Sequence, residues 1–123
     1  MEKQCDKLDE IFRLQKKLND DIIAKRNLPA YKKEEWIQKQ TLAMISELAE
    51  LIDEVNFKWW KNEHEVNDAA VKEELVDILH FFISMCLSIG MSPQELYEIY
   101  MNKNKENHDR QDGKSDKPGY LLK

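Results

Sequence analysis

The chain is poor in the residues that interrupt helices. Only three glycines and three prolines occur among its 123 residues. That scarcity excludes folds built from many tight turns and leaves long periodic segments. Cysteine is scarce as well: Cys5 and Cys86 stand alone, at no metal-ligand spacing. A disulfide framework and a zinc site are excluded, and the pair reads as two free thiols in a reducing, cytoplasmic compartment. No excess of positive charge is present, since 19 Lys and Arg face 24 Asp and Glu, for a net charge of −5. Bulk attraction to nucleic acid needs a basic face, so no nucleic-acid partner is expected. Long apolar runs are missing too. The richest, 78–89, is about half of what a membrane span needs. The opening MEKQCDKLDE is charged throughout and has no leader pattern, so no membrane association is expected.

What is present is charge arranged at helical period. Apolar residues make up 41% and charged residues 35%, and the length fits one domain. Leu8, Ile11, Phe12, Leu18 and Ile22 predict an amphipathic helix over 5–26, ended by Asn27-Leu28-Pro29. A second helix is expected from about Lys33 to Phe57, with its core direction near Leu48 and Val55. The linker FKWWKNEHEVN follows, with two adjacent tryptophans. A third helix is expected from about Asn67 to Ile89, with its core direction near Leu75 and Phe82 and Gly90 as its stop. Ser92-Pro93-Gln94-Glu95 is a capping box that opens a fourth. The expected architecture is all-α: a bundle of four to five helices over 1–112, then a flexible C-terminal arm over 113–123. The third helix is apolar nearly all round from Ile78 to Ile89. One chain of this size does not enclose such a helix fully, so a homodimer is expected.

Two acid pairs lead into this apolar material. Glu47 and Glu50 lie one turn apart on a flank of the second helix, and Glu74 and Asp77 occupy the same flank of the third. Phe81 extends that flank, so the acids do not face open solvent. If the two helices pack antiparallel, four carboxylates converge. Either their pKa values rise or a cation sits between them. Oxygen ligands without Cys or His point to Mg²⁺, with Mn²⁺ as a substitute. E-x-x-E also occurs on many solvated helix faces, and that plainer reading stands beside the first.

Other polar groups have two readings each. Lys103, Asn104, Asn107 and Arg110 in KNKENHDRQ suit phosphate oxygens, but also suit a frayed helix end. Gln15 and Asn19, four apart, can read the edge of a base or belong to an ordinary polar face. Trp59 and Trp60 offer a stacking surface, a core plug or a dimer contact. The lone His80 reads as structural.

In this order the motifs resemble the dimeric all-α dUTPases of the all-α NTP pyrophosphatase superfamily, which are related to the MazG-like enzymes. They are Gln15-x-x-x-Asn19, Glu47-x-x-Glu50, Lys58-Trp59-Trp60-Lys61, Glu74-x-x-Asp77 and Lys103-Asn104-x-x-Asn107-x-x-Arg110-Gln111. The resemblance runs from about residue 8 to 113. It implies Mg²⁺-dependent hydrolysis of dUTP, and of dUDP, to dUMP, which keeps uracil out of DNA. It implies that Glu47, Glu50, Glu74 and Asp77 bind metal, with Glu47 placed to activate water. Gln15 and Asn19 would read uracil, with Trp59 or Trp60 closing over it and Phe81 in the substrate-contacting set. Lys58, Lys103, Asn104, Asn107 and Arg110 would hold sugar and phosphates. The family's Gly-Tyr after Arg-Gln comes late here, at Gly119-Tyr120, which leaves Tyr120 a more distant candidate. The compact length fits a bacterial or phage form, and the resemblance leaves open a regulatory protein partner of unknown identity. The alternatives are a MazG-like pyrophosphatase of other nucleotides and a non-catalytic helical dimer.

Overall fold

The computed structural model describes residues 6–122. Four α-helices make up its regular structure: α1 (Lys7–Lys25), α2 (Lys33–Glu54), α3 (Asp68–Ser88) and α4 (Pro93–Gln111). No strand occurs among the described residues, and the fold is all-α as expected. The starts of α1, α3 and α4 each carry a side-chain cap. Asp6 and Asp9 form a reciprocal capping box, with Asp9 N donating to Asp6 Oδ1 at 2.8 Å. The Asn67 side chain accepts from Ala70 N at 3.2 Å, and Ser92 Oγ accepts from Glu95 N at 3.1 Å. These bonds satisfy amide donors that a helix start otherwise leaves without partners. α3 ends at Gly90, whose φ of 77° is in the left-handed region that a side chain disfavours.

The chain falls into two compact units, one ending at Gly90 and one beginning at Met91. In the first, α3 is the central helix and packs against both α2 and α1. Thr41 of α2 bonds Met85 late in α3, while Glu47 and Glu50 of α2 meet Glu74 early in α3. That pairing makes α2 and α3 antiparallel. Gln15 bonds His80 and Asn19 bonds Ser84, a constant offset that makes α1 parallel to α3.

The apolar core is small. Phe12, Ile83 and Cys86 are its buried apolar members, and Ile83 is 1% exposed. The buried face of α3 is therefore centred on Ile83 and Cys86. Leu75 and Phe82, the expected core direction, are about half exposed, as are Leu48 and Val55 of α2. Periodicity finds the apolar arc of a helix, but which part of a wide arc is buried depends on where the neighbours sit. Cys86 is a free, buried thiol, and burial pushes its pKa up. Cys5 lies outside the described residues. Among those residues no single helix is long and apolar enough to cross a membrane.

The second unit contains α4 and the arm after it. The arm turns back on the helix: Tyr120 places its ring 5.6 Å from the Arg110 guanidinium, and Leu122 lies against Gly113.

Candidate active site

Antiparallel packing brings acids from α2 and α3 together. Carboxylate oxygens of Glu47, Glu50 and Glu74 lie within 4.8 Å of one another. Glu47 Oε2 and Glu74 Oε2 are buried and lack a hydrogen-bond partner. Ionised carboxylates are acceptors only, so neither can satisfy the other unless one holds a proton. The pKa of Glu74 is accordingly pushed up to about 7. The first cause is the hydrogen bond it makes to Glu47 when protonated, followed by loss of solvent and the charges of Glu50 and Glu47. Unpaired, hard oxygen donors at this spacing fit a cation such as Mg²⁺, which would replace the shared proton. Asp77, the fourth expected ligand, is outside this tight group and lines a cavity with Glu47.

That cavity has a volume of about 710 Å³, within the usual range for small-molecule sites. Its walls are mostly apolar, with Ile22, Leu28 and Phe81 among them. Gln15, Asn19, His80 and Ser84 form its polar strip. Gln15 is only 6% exposed and is held on both sides. Its Nε2 donates to Asn19 Oδ1 at 2.9 Å, and its Oε1 accepts from His80 Nδ1. Asn19 Nδ2 donates to Ser84 Oγ at 3.0 Å, and Ser84 Oγ donates to the His80 carbonyl at 2.8 Å.

Trp36 and Gln40 also line the cavity, and sequence reasoning missed them. The signal was spacing along α2. Positions 36, 40 and 47 fall within about 40° of one another on a helix, so Trp36 and Gln40 share a stripe with Glu47. Ser84 was equally findable, two helical turns beyond Asp77 on the same face of α3.

Trp59 and Trp60 are elsewhere, in the loop between α2 and α3. Their rings meet edge to face at 4.6 Å, and Trp59 is 86% exposed. Neither lines the large cavity. Lys58, in the same loop, pairs with Asp53 at 3.4 Å beside a smaller hollow of about 310 Å³. Asn56 closes this loop, bonding the His64 N–H at 3.0 Å and its carbonyl at 2.8 Å.

In the second unit, Lys103 and Arg110 both pair with Glu106. Arg110 above all, then Lys103, holds the Glu106 carboxyl below its usual range. Asn107 accepts from Arg110 Nη1 at 3.3 Å. Arg110 Nε is buried without a partner, and the Tyr120 ring covers the guanidinium.

Helices α1 to α3 and their acid pairs define a class, the all-α dUTPase fold. A family profile described as dUTPase matches residues 7–92, and the chain belongs to this family. The match ends before α4, so the KNKENHDRQ segment lies beyond it. A 42-residue stretch is 48% identical to the dCTP pyrophosphatase of Enterobacteria phage T4, covering 34% of this chain and 25% of that protein. Another such enzyme, from Enterobacteria phage LZ5, is 45% identical over 42 residues, 34% of this chain and 24% of that protein. A DNA replication protein of phage T4 is 46% identical over 35 residues, 28% of this chain and 9% of that protein. The matched stretches thus span a quarter or less of these relatives. No solved structure matches the chain.

Proposed function

We propose that the chain hydrolyses a pyrimidine deoxynucleoside triphosphate to its monophosphate and pyrophosphate, with dUTP as the preferred substrate, and that it also hydrolyses dUDP to dUMP and phosphate. The observation that carries this reading is the double membership of Glu47. It belongs to the carboxylate cluster and also to the wall of the cavity that holds Gln15 and Asn19. Hydrolytic groups and a base-sized pocket therefore adjoin.

Glu47, Glu50 and Glu74 would hold Mg²⁺, or Mn²⁺ in its place, with Asp77 beside them. The bound cation would neutralise phosphate charge and make an attacking water more acidic. Glu47, which also lines the cavity, would accept the proton that water gives up on the carboxylate oxygen not given to the cation. Gln15 and Asn19 would read the base, with Phe81 and Trp36 in the cavity wall beside it. Lys58, Lys103, Asn104, Asn107 and Arg110 would hold sugar and phosphates, which requires Lys103 and Arg110 to exchange Glu106 for the substrate. Trp59 or Trp60 would close over the site. The contact of Tyr120 with Arg110 supports a role for that late tyrosine in holding the guanidinium.

The protein would act as a homodimer. Leu42 is 68% exposed and Ile45 55%, and Leu75, Val76 and Phe82 are about half exposed, apolar surface that a second copy of the chain would cover. A second reading, supported by the phage relatives, is dCTP as substrate.

The test is pyrophosphate release from dUTP, dCTP, dTTP and UTP, with Mg²⁺ and with chelator. Metal-dependent turnover favouring dUTP is expected. Turnover favouring dCTP selects the second reading, and equal rates on all four indicate a MazG-like enzyme. No turnover of any leaves a non-catalytic helical dimer and sinks the proposal.

A further inference from the structure

Resting on the reading just given, we propose that His80 and Ser84 are positioning residues that choose between uracil and cytosine. They do so by fixing which way the amides of Gln15 and Asn19 point. The four side chains form one run of hydrogen bonds, and its sense is set from the Ser84 end. Ser84 Oγ gives its proton to the carbonyl of His80, so only a lone pair remains for Asn19. Asn19 must meet it with an N–H, at 3.0 Å. That turns Asn19 Oδ1 toward Gln15, which answers with its own N–H at 2.9 Å. Gln15 Oε1 is then left facing His80 Nδ1, which must carry the ring proton.

Each amide keeps unused capacity after these bonds. Gln15 Nε2 has a second N–H, and the adjacent Asn19 Oδ1 has a second lone pair. Side by side, they present a donor next to an acceptor, and all four residues line the cavity. Uracil carries a carbonyl oxygen at position 4 and an N–H at position 3, which is the complementary order. Cytosine carries an amino group at position 4 and a bare nitrogen at position 3, which is the opposite order. In the observed sense the pair suits uracil and leaves two like groups facing each other for cytosine.

The run has one other self-consistent sense. It needs a lone pair on His80 Nδ1 and the Ser84 hydroxyl turned away from its own helix toward Asn19. Both amides then flip, and the pair suits cytosine. His80 and Ser84 need not touch the base for this. A site that must leave a buried polar group unpaired rejects the wrong base far more strongly than one that merely fits poorly.

The test is the ratio of kcat/KM for dUTP to that for dCTP in the full-length protein with Mg²⁺. Because it is a ratio, any general loss of metal binding or folding cancels. Wild-type protein is expected to favour dUTP by about tenfold or more. Ser84→Ala removes the group that fixes Asn19 and is expected to narrow the ratio severalfold. His80→Asp places an acceptor-only group opposite Gln15 and is expected to tip the ratio toward dCTP. His80 lies at the exposed edge of the cavity, so this variant remains available if Ser84→Ala fails to fold. Equal losses on both substrates in both variants overturn the inference and leave the proposed activity standing. A wild-type ratio near one overturns it as well. Wild-type protein inert on both nucleotides removes the activity itself, and the inference with it.

Discussion

Glu47 and Glu74 face each other across the α2–α3 seam, and each has one buried carboxylate oxygen without a partner. Two acceptors that meet in this way need a proton or a cation between them. These two acids are therefore not part of a solvated helix face.

Replacing Glu74 by Gln removes one side of that meeting. Addition of millimolar Mg²⁺ to the wild type is expected to raise its melting temperature, because a ligand that binds only the folded state stabilises it. Glu74→Gln is expected to lose that rise and to turn over nucleotide about 10²-fold more slowly or worse. Calorimetric melts with and without Mg²⁺, beside a rate assay, check both points. A variant with full turnover would exclude Glu74 from the metal site.

Without metal, the same residue makes stability depend on pH. The Glu74 pKa rises on folding from an ordinary 4.5 to about 7. The folded state thus holds this proton more tightly than the unfolded chain. Its stabilising contribution is complete below pH 4.5 and is lost as pH rises through 7. Melts in chelator should fall across that window, and Mg²⁺ should restore stability at its upper end. The slope should be absent from Glu74→Gln.

The loop between α2 and α3 carries a second pH-sensitive contact. His64 Nδ1 faces the Glu65 carbonyl at 3.0 Å, and Nε2 faces the Asp53 carbonyl at 3.1 Å. Only the charged ring donates to both, and these two bonds push its pKa above 6.5, that of Glu65 first. The contribution is complete below pH 6.5 and fades as pH rises through the folded value. Protection of the Trp59–Trp60 loop against proteolysis should weaken over that range. His64→Gln should cleave at a rate independent of pH there.

Asn56, which closes the same loop, has a φ of 61°. Asn56→Ala loses both bonds to His64 and puts a less tolerant residue in the left-handed region. It should destabilise by about 1–3 kcal/mol. Asn56→Gly loses the bonds but relieves the backbone, and should cost less. Urea melts of the two variants separate the contributions.

For the homodimer, Ile45→Lys is the informative change. In a lone chain a charge at this half-exposed position costs little, whereas inside a subunit interface it has no partner. Sedimentation should find the wild type as a dimer and the variant shifted to monomer. A wild type that sediments as a monomer refutes the dimer.

The helices were legible in the sequence because their causes are local. Apolar residues at period 3.6, Asn27-Leu28-Pro29, Gly90 and the Ser92 cap act within a few residues of themselves. The first three helices begin and end within a few residues of the expected bounds, and α4 begins at the expected cap but stays helical through the KNKENHDRQ segment, where a frayed end was the plainer reading. The acid pairs were legible for the same reason, since spacing alone puts Glu47 with Glu50 and Glu74 with Asp77 on helix flanks. What the sequence did not contain was which flanks meet. Antiparallel contact of α2 with α3 selected Glu47, Glu50 and Glu74 for the tight group and placed Asp77 in the cavity wall. Parallel contact of α1 with α3 joined Gln15 to His80 and Asn19 to Ser84, which put His80 in the polar strip of the cavity wall. Trp36, and not the adjacent pair Trp59 and Trp60, came to line that cavity. Local propensity decides elements within a single turn of chain. Contacts between residues far apart in sequence depend on how whole helices rotate and slide to bury their apolar faces, and that choice is made only in the folded molecule.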